Sequence, residues 1–170
     1  MTDRSWKERG YVVFPVLRAT AQMSPVTVRC PQSDDEPTWR KLWDGYTRFY
    51  RVDVPEAVTA ALWRKLVTAG ADVHGLVAER DGRLIGLANY LFHPSTWSVK
   101  PTCYLEDLFV DSQARGSGAG KALILAVETA ARAADASRIY WHTQEYNAPA
   151  RSLYDTLAPR TSFIVYRKTF

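Results

Sequence analysis

Between Asp111 and Lys121 the chain reads Asp-Ser-Gln-Ala-Arg-Gly-Ser-Gly-Ala-Gly-Lys, with glycines at 116, 118 and 120. The run follows a strand-like segment, Tyr104–Val110, and opens a helix-like one, Gly120–Ala134. Glycines at such a junction let the backbone approach an anion, and the N–H groups of the first helical turn point at it. This is chemistry for holding phosphate. Two familiar phosphate loops are excluded. A Walker A loop needs four residues between its first glycine and Gly-Lys, then Ser or Thr. Here Gly116 and Gly120 enclose Ser117, Gly118 and Ala119, and Ala122 follows Lys121. A dinucleotide fingerprint is G-x-G-x-x-G near the start of a βαβ unit; this one is G-x-G-x-G, deep in the chain.

Proton-transfer groups flank the loop. Glu106 and Asp107 are adjacent in the strand-like segment. Strict alternation groups Tyr104, Glu106 and Leu108 on one face and Leu105, Asp107 and Phe109 on the other, so at most one acid faces a given site. Tyr154 lies on a helical stripe with Ala150, Leu153 and Leu157, which suits either a core residue or a functional phenol. Asn147, just before that helix, is either a ligand or a cap. Lys121 and Arg151 either reach phosphates or are solvated charges. Trp43, Tyr46, Phe49 and Tyr50 form an aromatic helix face, and they join Trp97 as either pocket walls or packing residues. His74, His93 and His142 carry no partner signal, and no metal-ligand set is present.

Arg115-x-x-Gly118-x-Gly120, placed behind Leu105-Glu-Asp-Leu-Phe-Val110, resembles the acetyl-CoA-binding core of the GNAT superfamily of N-acetyltransferases. Gln113-x-x-Gly116-x-Gly118 fits the same consensus in a shifted frame. Asn147-Ala-Pro-Ala150-Arg151-Ser-Leu153-Tyr154 resembles the family's second cofactor segment, and the likeness spans about residues 73 to 168. The family's Gly-Phe after the tyrosine helix is replaced by Pro159-Arg-Thr-Ser162-Phe163. Tyr-Leu-Glu-Asp-Leu-Phe-Val and Asn-x-x-Ala-x-x-Leu-Tyr-Asp look most like the branch of diamine, polyamine and D-amino-acid acetylators.

The resemblance implies a single-domain α/β fold with a mixed, mostly antiparallel sheet flanked by helices, and acetyl-CoA as co-substrate. It assigns the base to Glu106 and the acid to Tyr154. It places the pyrophosphate on the backbone of Arg115, Gly116, Ser117, Gly118, Ala119, Gly120 and Lys121, with Asn147 and Arg151 as further contacts. The pantetheine arm would pair with Leu108, Phe109 and Val110, and an oxyanion donor would sit near Phe109, at a bulge in the strand. Tyr46, Trp97, Tyr104 and Glu106 would meet the acceptor. The activity implied is transfer to a primary amine of a small molecule. Other acceptors in reach of the resemblance are protein lysines or N-termini, and a further alternative is a non-catalytic acyl-CoA-binding regulatory module. A homodimer is also implied by the resemblance.

The elements that must position these groups follow from periodicity. Val26–Arg29 reads as a strand, Ser33–Glu36 as the start of an aromatic helix, and Val54–Thr68 as a second helix beginning at Pro55. Val73–Glu79 and Leu84–Phe92, joined by Asp81-Gly82, form a hairpin pattern. His93–Pro101 reads as a loop, Arg138–Thr143 as a strand and Ala148–Leu157 as a helix. Ser162–Phe170 reads as a final strand with apolar residues on both faces, which predicts that a second copy covers it. At 170 residues, 46% hydrophobic and 24% charged, the chain suits one domain over residues 26–170. Residues 1–25 read as an extension, non-native or flexible, with Met23 as an alternative start after Met1–Gln22. A net charge of +4 without a Lys/Arg cluster excludes a nucleic-acid footprint, and no apolar run is long enough for a membrane helix. Cys30 and Cys103, both in strand-like runs, read as buried, reduced thiols of a cytoplasmic protein.

Overall fold

The computed structural model of the chain describes residues 24–170, so the expectations for Met1–Gln22 lie outside the described residues. One five-stranded sheet runs in the order β1 (Thr27–Arg29), β2 (Val73–Arg80), β3 (Arg83–Ser95), β4 (Ser98–Val110) and β5 (Arg138–Trp141). All neighbours are antiparallel except β4 and β5, which run parallel. The helices are α1 (Glu36–Tyr50), α2 (Glu56–Val67), α3 (Ala119–Ala133) and α4 (Ala148–Tyr154). This is the mixed, mostly antiparallel α/β architecture expected from the sequence.

Local chemistry explains the joints. Asp81 and Gly82 both take positive φ (53° and 71°), so the β2–β3 turn matches the right-handed twist of its strands. Arg29 at the end of β1 bridges Asp35 at 2.6 Å and Glu79 of β2 at 2.8 Å, which ties the sheet edge to the start of α1. The sheet separates two cores. On the α3 face, Ala78, Ala88, Cys103 and Leu105 pack under Leu123, Ile124 and Val127. On the α1/α2 face, Val77 and Leu87 pack under Trp39, Leu42, Trp43 and Trp63. Trp39 stacks on Trp43 at 5.6 Å and tilts against Trp63 at 5.0 Å, and the Trp43 indole N–H donates to the Thr59 hydroxyl at 3.2 Å.

Three expectations are corrected. The 93–101 segment is the end of a long hairpin rather than a loop: β3 and β4 pair out to Ser95 and Ser98, with Thr96 and Trp97 as the turn. Cys30 lies just past β1 and is exposed; only Cys103 is buried, and burial pushes its thiol up to about 11. The expected strand over Ser162–Phe170 does not form, and Phe163, Ile164, Val165, Tyr166 and Phe170 are all exposed. The sheet ends on that side of β4 at β5, an edge strand only four residues long.

Gly86 shows how tightly β3 and β4 meet beside the glycine loop. A Cβ there would stand 2.8 Å from the Phe109 carbonyl oxygen, a backbone atom that cannot swing away. Gly86→Ala is therefore expected to destabilise the fold by about 1–3 kcal/mol, as overpacking does. Urea unfolding of the two proteins measures it, and an unchanged midpoint would contradict this packing.

Candidate active site

The site begins with an irregularity in β4. Tyr90 of β3 pairs with Leu105 and Asn89 pairs with Asp107, so Glu106 has no partner across the strand. Such a bulge inserts one residue and reverses the side-chain alternation beyond it. Before it, Cys103 and Leu105 face α3; after it, Leu108 and Val110 join that same cluster while Phe109 turns to the α1 face. The alternation expected across Glu106 and Asp107 is corrected accordingly: Tyr104, Asp107 and Phe109 share the α1 face. The bulge itself lies at Glu106, three residues before its expected place at Phe109.

The two acids now have different surroundings. Asp107 accepts a hydrogen bond from Asn89 Nδ2 at 3.0 Å and lies beside the Tyr46 phenol, while partial burial raises its carboxyl above the ordinary range. Glu106 is exposed at the surface of the bulge, and its carboxyl is raised by partial burial and then by the charge of Asp107. Tyr46 is buried beside Asp107, and both effects hold its phenol protonated. α1 comes this close because Gly45 has no side chain: a Cβ there would meet the Phe109 ring at 2.8 Å.

Beside the bulge the sheet opens. β5 pairs with β4 from Thr102 to Leu105, and no described residue of β5 pairs with β4 beyond it. The edge from Glu106 to Val110 is left free on that side. The chain from His142 to Asn147 then turns into α4, whose last residue is Tyr154. The Tyr154 ring meets Trp141 edge-on at 5.5 Å, and burial followed by the proximity of Tyr50 pushes its phenol up to about 12. On the open face, Tyr104 stacks on Tyr140 at 4.9 Å and leans on His142, while His93 Nε2 lies 3.1 Å from the Tyr140 hydroxyl. Tyr50 lies beside Thr143, so the end of α1 reaches the β5–α4 connection.

The glycine loop lies at the C-terminal end of the free edge. Gly116 and Gly118 have φ of 77° and 85°, conformations that cost any other residue strain, and the space where a Cβ would project is open. The Ala119 N–H is 3.4 Å from the Ser117 hydroxyl, while those of Gly120 and Lys121 have no acceptor among the described residues. Gly120 differs: its missing Cβ would point inward, 3.1 Å from Leu153 of α4, so its smallness serves helix packing. Arg115 and Lys121 are exposed along the loop.

The structure brings Tyr46 and Tyr104 close to Glu106, and sets Tyr154 against Trp141 at the end of the helix that follows β5. It does not bring Trp97. That residue is exposed at the hairpin tip, about 30 Å from Glu106 at the rise of a β-strand. Asn147 sits at the start of α4 but makes no side-chain cap bond; its Nδ2 donates to the Thr143 hydroxyl at 3.2 Å. Arg151 donates to the Glu145 carbonyl at 2.8 Å. Sequence reasoning missed Asn89, whose only signal was one amide in the middle of an apolar strand.

A family model described as Acetyltransferase (GNAT) family matches residues 39–158. The chain belongs to the GNAT acetyltransferases. It is an N-acetyltransferase that uses acetyl-CoA as co-substrate. A D-amino-acid N-acetyltransferase of Saccharomyces cerevisiae is 31% identical over 145 residues, covering 84% of this chain and 90% of that protein. A thialysine N-epsilon-acetyltransferase of Sus scrofa is 34% identical over 95 residues, 51% of this chain and 55% of that one. Among solved structures, AAC(6')-Iy with the bisubstrate analog CoA-S-monomethyl-acetylneamine superposes with a TM-score of 0.72 at 22% identity. The match covers 86% of this chain and 100% of that one, and attests the GNAT fold.

If the loop holds the cofactor, CoA at a hundredfold over its Kd should stabilise the protein by roughly 3 kcal/mol through ligand linkage. Gly118→Glu, which puts bulk and negative charge into the open space, should lose that shift. Thermal unfolding with and without CoA measures both, and an unshifted wild-type protein would contradict the site.

Proposed function

We propose that this acetyltransferase transfers the acetyl group directly to a primary amine of a small molecule, a diamine, polyamine or amino acid, within one ternary complex. The observation that supports this reading is the free edge of β4 past Leu105, with the exposed carboxylate Glu106 at its bulge and the half-buried phenol Tyr154 closing the helix that follows β5. The acceptor class draws support from relatives whose names specify a D-amino acid and thialysine.

Acetyl-CoA supplies the acetyl group as a thioester when bound. The N–H groups of Gly120 and Lys121, the open side of Gly116 and Gly118, and the cations Arg115 and Lys121 suit its pyrophosphate. Ser117 and Ala119 complete that backbone cradle, with Asn147 and Arg151 on the α4 side. The free edge of Leu108, Phe109 and Val110 suits its amide-bearing arm. Unpaired N–H groups on the same edge would serve a developing oxyanion.

An acceptor amine near the lysine range is mostly protonated at neutral pH. Glu106, through water, takes one proton from the ammonium and frees the nitrogen lone pair to bond to the acetyl carbon; the second proton leaves that nitrogen as the intermediate collapses and, through water, replaces the one that Tyr154 gives up. The Tyr154 phenol gives its proton to sulfur as the C–S bond breaks, so the products are the amide and the free thiol. A phenol raised to about 12 is fully protonated at neutral pH and ready for that step. Tyr46 and Tyr104 form walls for the acceptor. The substrate role expected of Trp97 does not fit its distance within one chain.

The assembly proposed is a homodimer in the cytoplasm. Its support is the exposed run Phe163–Tyr166, which leaves apolar side chains without cover in a single chain. No described helix is long and apolar enough to cross a membrane.

Two substitutions separate base from acid. Glu106→Gln should lose about 10²–10⁴ in rate, the range for one positioned proton-transfer group, and recover partly as rising pH deprotonates the amine. Tyr154→Phe should bind CoA normally, lose turnover and gain nothing from alkaline pH. Paired pH–rate profiles on one active amine measure this; a Glu106→Gln enzyme with wild-type rate at neutral pH would move the base elsewhere. Sedimentation at micromolar concentration should show a dimer, and a strict monomer would remove the assembly.

A further inference from the structure

Asp107 is a half-buried carboxylate one residue from the proposed base, and the mechanism above gives it no step. It is held from two other elements. Asn89, 1% exposed on β3, donates to it at 3.0 Å, and the Tyr46 phenol of α1 lies beside it. Asn89 is also its register partner, the first pair formed after the bulge. Asp107 is therefore the shared vertex of a triangle with Asn89 on β3 and Tyr46 on α1, at the point where the alternation of β4 reverses. A carboxylate partly withdrawn from water is costly unless its lone pairs are met. The contacts that meet them fix which way the bulge faces.

Resting on the reading of Glu106 as the base, we propose that Asp107 is its positioning residue. The Asn89–Asp107–Tyr46 triangle clamps the bulge, and so fixes the direction in which the Glu106 carboxylate projects into the opening. Asp107 acts through Glu106 and through the charge it adds beside it. The other titratable groups facing Glu106 are Tyr104 on β4, Tyr140 on β5 and Tyr46 on α1, all phenols that are neutral in the working pH range. Asp107 is thus the one neighbouring group among these that carries charge there.

The sign of its effect follows. The Asp107 charge raises the Glu106 carboxyl, and a base works only when deprotonated, so activity falls as pH drops through that value. Removing the charge lowers it, and the acid limb moves to lower pH. A role in packing alone does not move that limb.

The experiment compares kcat and kcat/KM against pH for the wild-type enzyme, Asp107→Asn, Tyr46→Phe and Glu106→Gln with one active amine, and checks each by CoA-induced thermal stabilisation. Asp107→Asn should keep the CoA shift, lose about 10²-fold in kcat, as misplacement of a reacting group by about 1 Å does, and move its acid limb to lower pH. Tyr46→Phe keeps its ring and loses one leg of the triangle, so it should move the limb the same way by less; it carries the test if the Asp107 variant does not fold. An unmoved acid limb in a folded variant overturns the proposal. So does a rise in KM alone, which would make Asp107 an anchor for the acceptor. If Glu106→Gln leaves the wild-type acid limb in place, the base assignment fails on its own, whatever the Asp107 variant does.

Discussion

One extra residue in β4 sets the geometry on which the rest depends. A regular strand would place Glu106 and Asp107 on opposite faces and bury one of them in the α3 core. The bulge instead lets Leu105 and Leu108 both face α3 while the two acids stay on the other side of the strand. It also falls one residue past Leu105, the last that β5 accompanies, so the reversal and the opening of the sheet adjoin. A proton acceptor thus reaches an unpaired strand edge without either core giving up a hydrophobic position. The desolvation of Asp107 is offset by Asn89 and Tyr46, which is why α1 must approach so closely and why Gly45 lies under the Phe109 ring.

The second half of the site depends on the short β5. Its four residues bring α4 back across the opening, and the Trp141 contact holds the Tyr154 ring at the end of that helix. The glycine loop belongs to the same arrangement through Gly120, whose smallness lets α3 start directly beside Leu153 of α4. Gly116 and Gly118 do separate work, since their missing side chains leave open the space above the loop. Phosphate chemistry, helix packing and the placement of the phenol therefore meet within a few residues of one helix start.

The sequence carried most of the fold. Asp81-Gly82 marked its turn, the aromatic spacing marked α1, and the glycine run marked the start of α3, because each of these is local chemistry. Failures came where the decisive partner is distant. The bulge arises from how Asn89 and Tyr90 register against β4, and nothing in Tyr104–Val110 announces it. His93 and Pro94 looked like loop residues, yet pairing with β4 extends the strand through them. Trp97 looked like a pocket wall by type, and only the length of the hairpin places it at the far tip. Ser162–Phe170 has the alternation of a strand, but alternation does not supply a neighbour. The candidate acid, base and glycines were legible; Asn89 was not, because a lone amide in an apolar strand gains meaning only from the carboxylate across from it.

The central claim is that the loop of Gly116–Lys121 and the free edge of β4 form one cofactor surface. Backbone amide exchange in the presence and absence of CoA tests it most directly. The account predicts slowed exchange at Leu108–Val110 and at Gly118–Lys121 together, with the β1–β2 side of the sheet unchanged. Protection that spares both segments, at a CoA concentration where binding is otherwise detected, would contradict it.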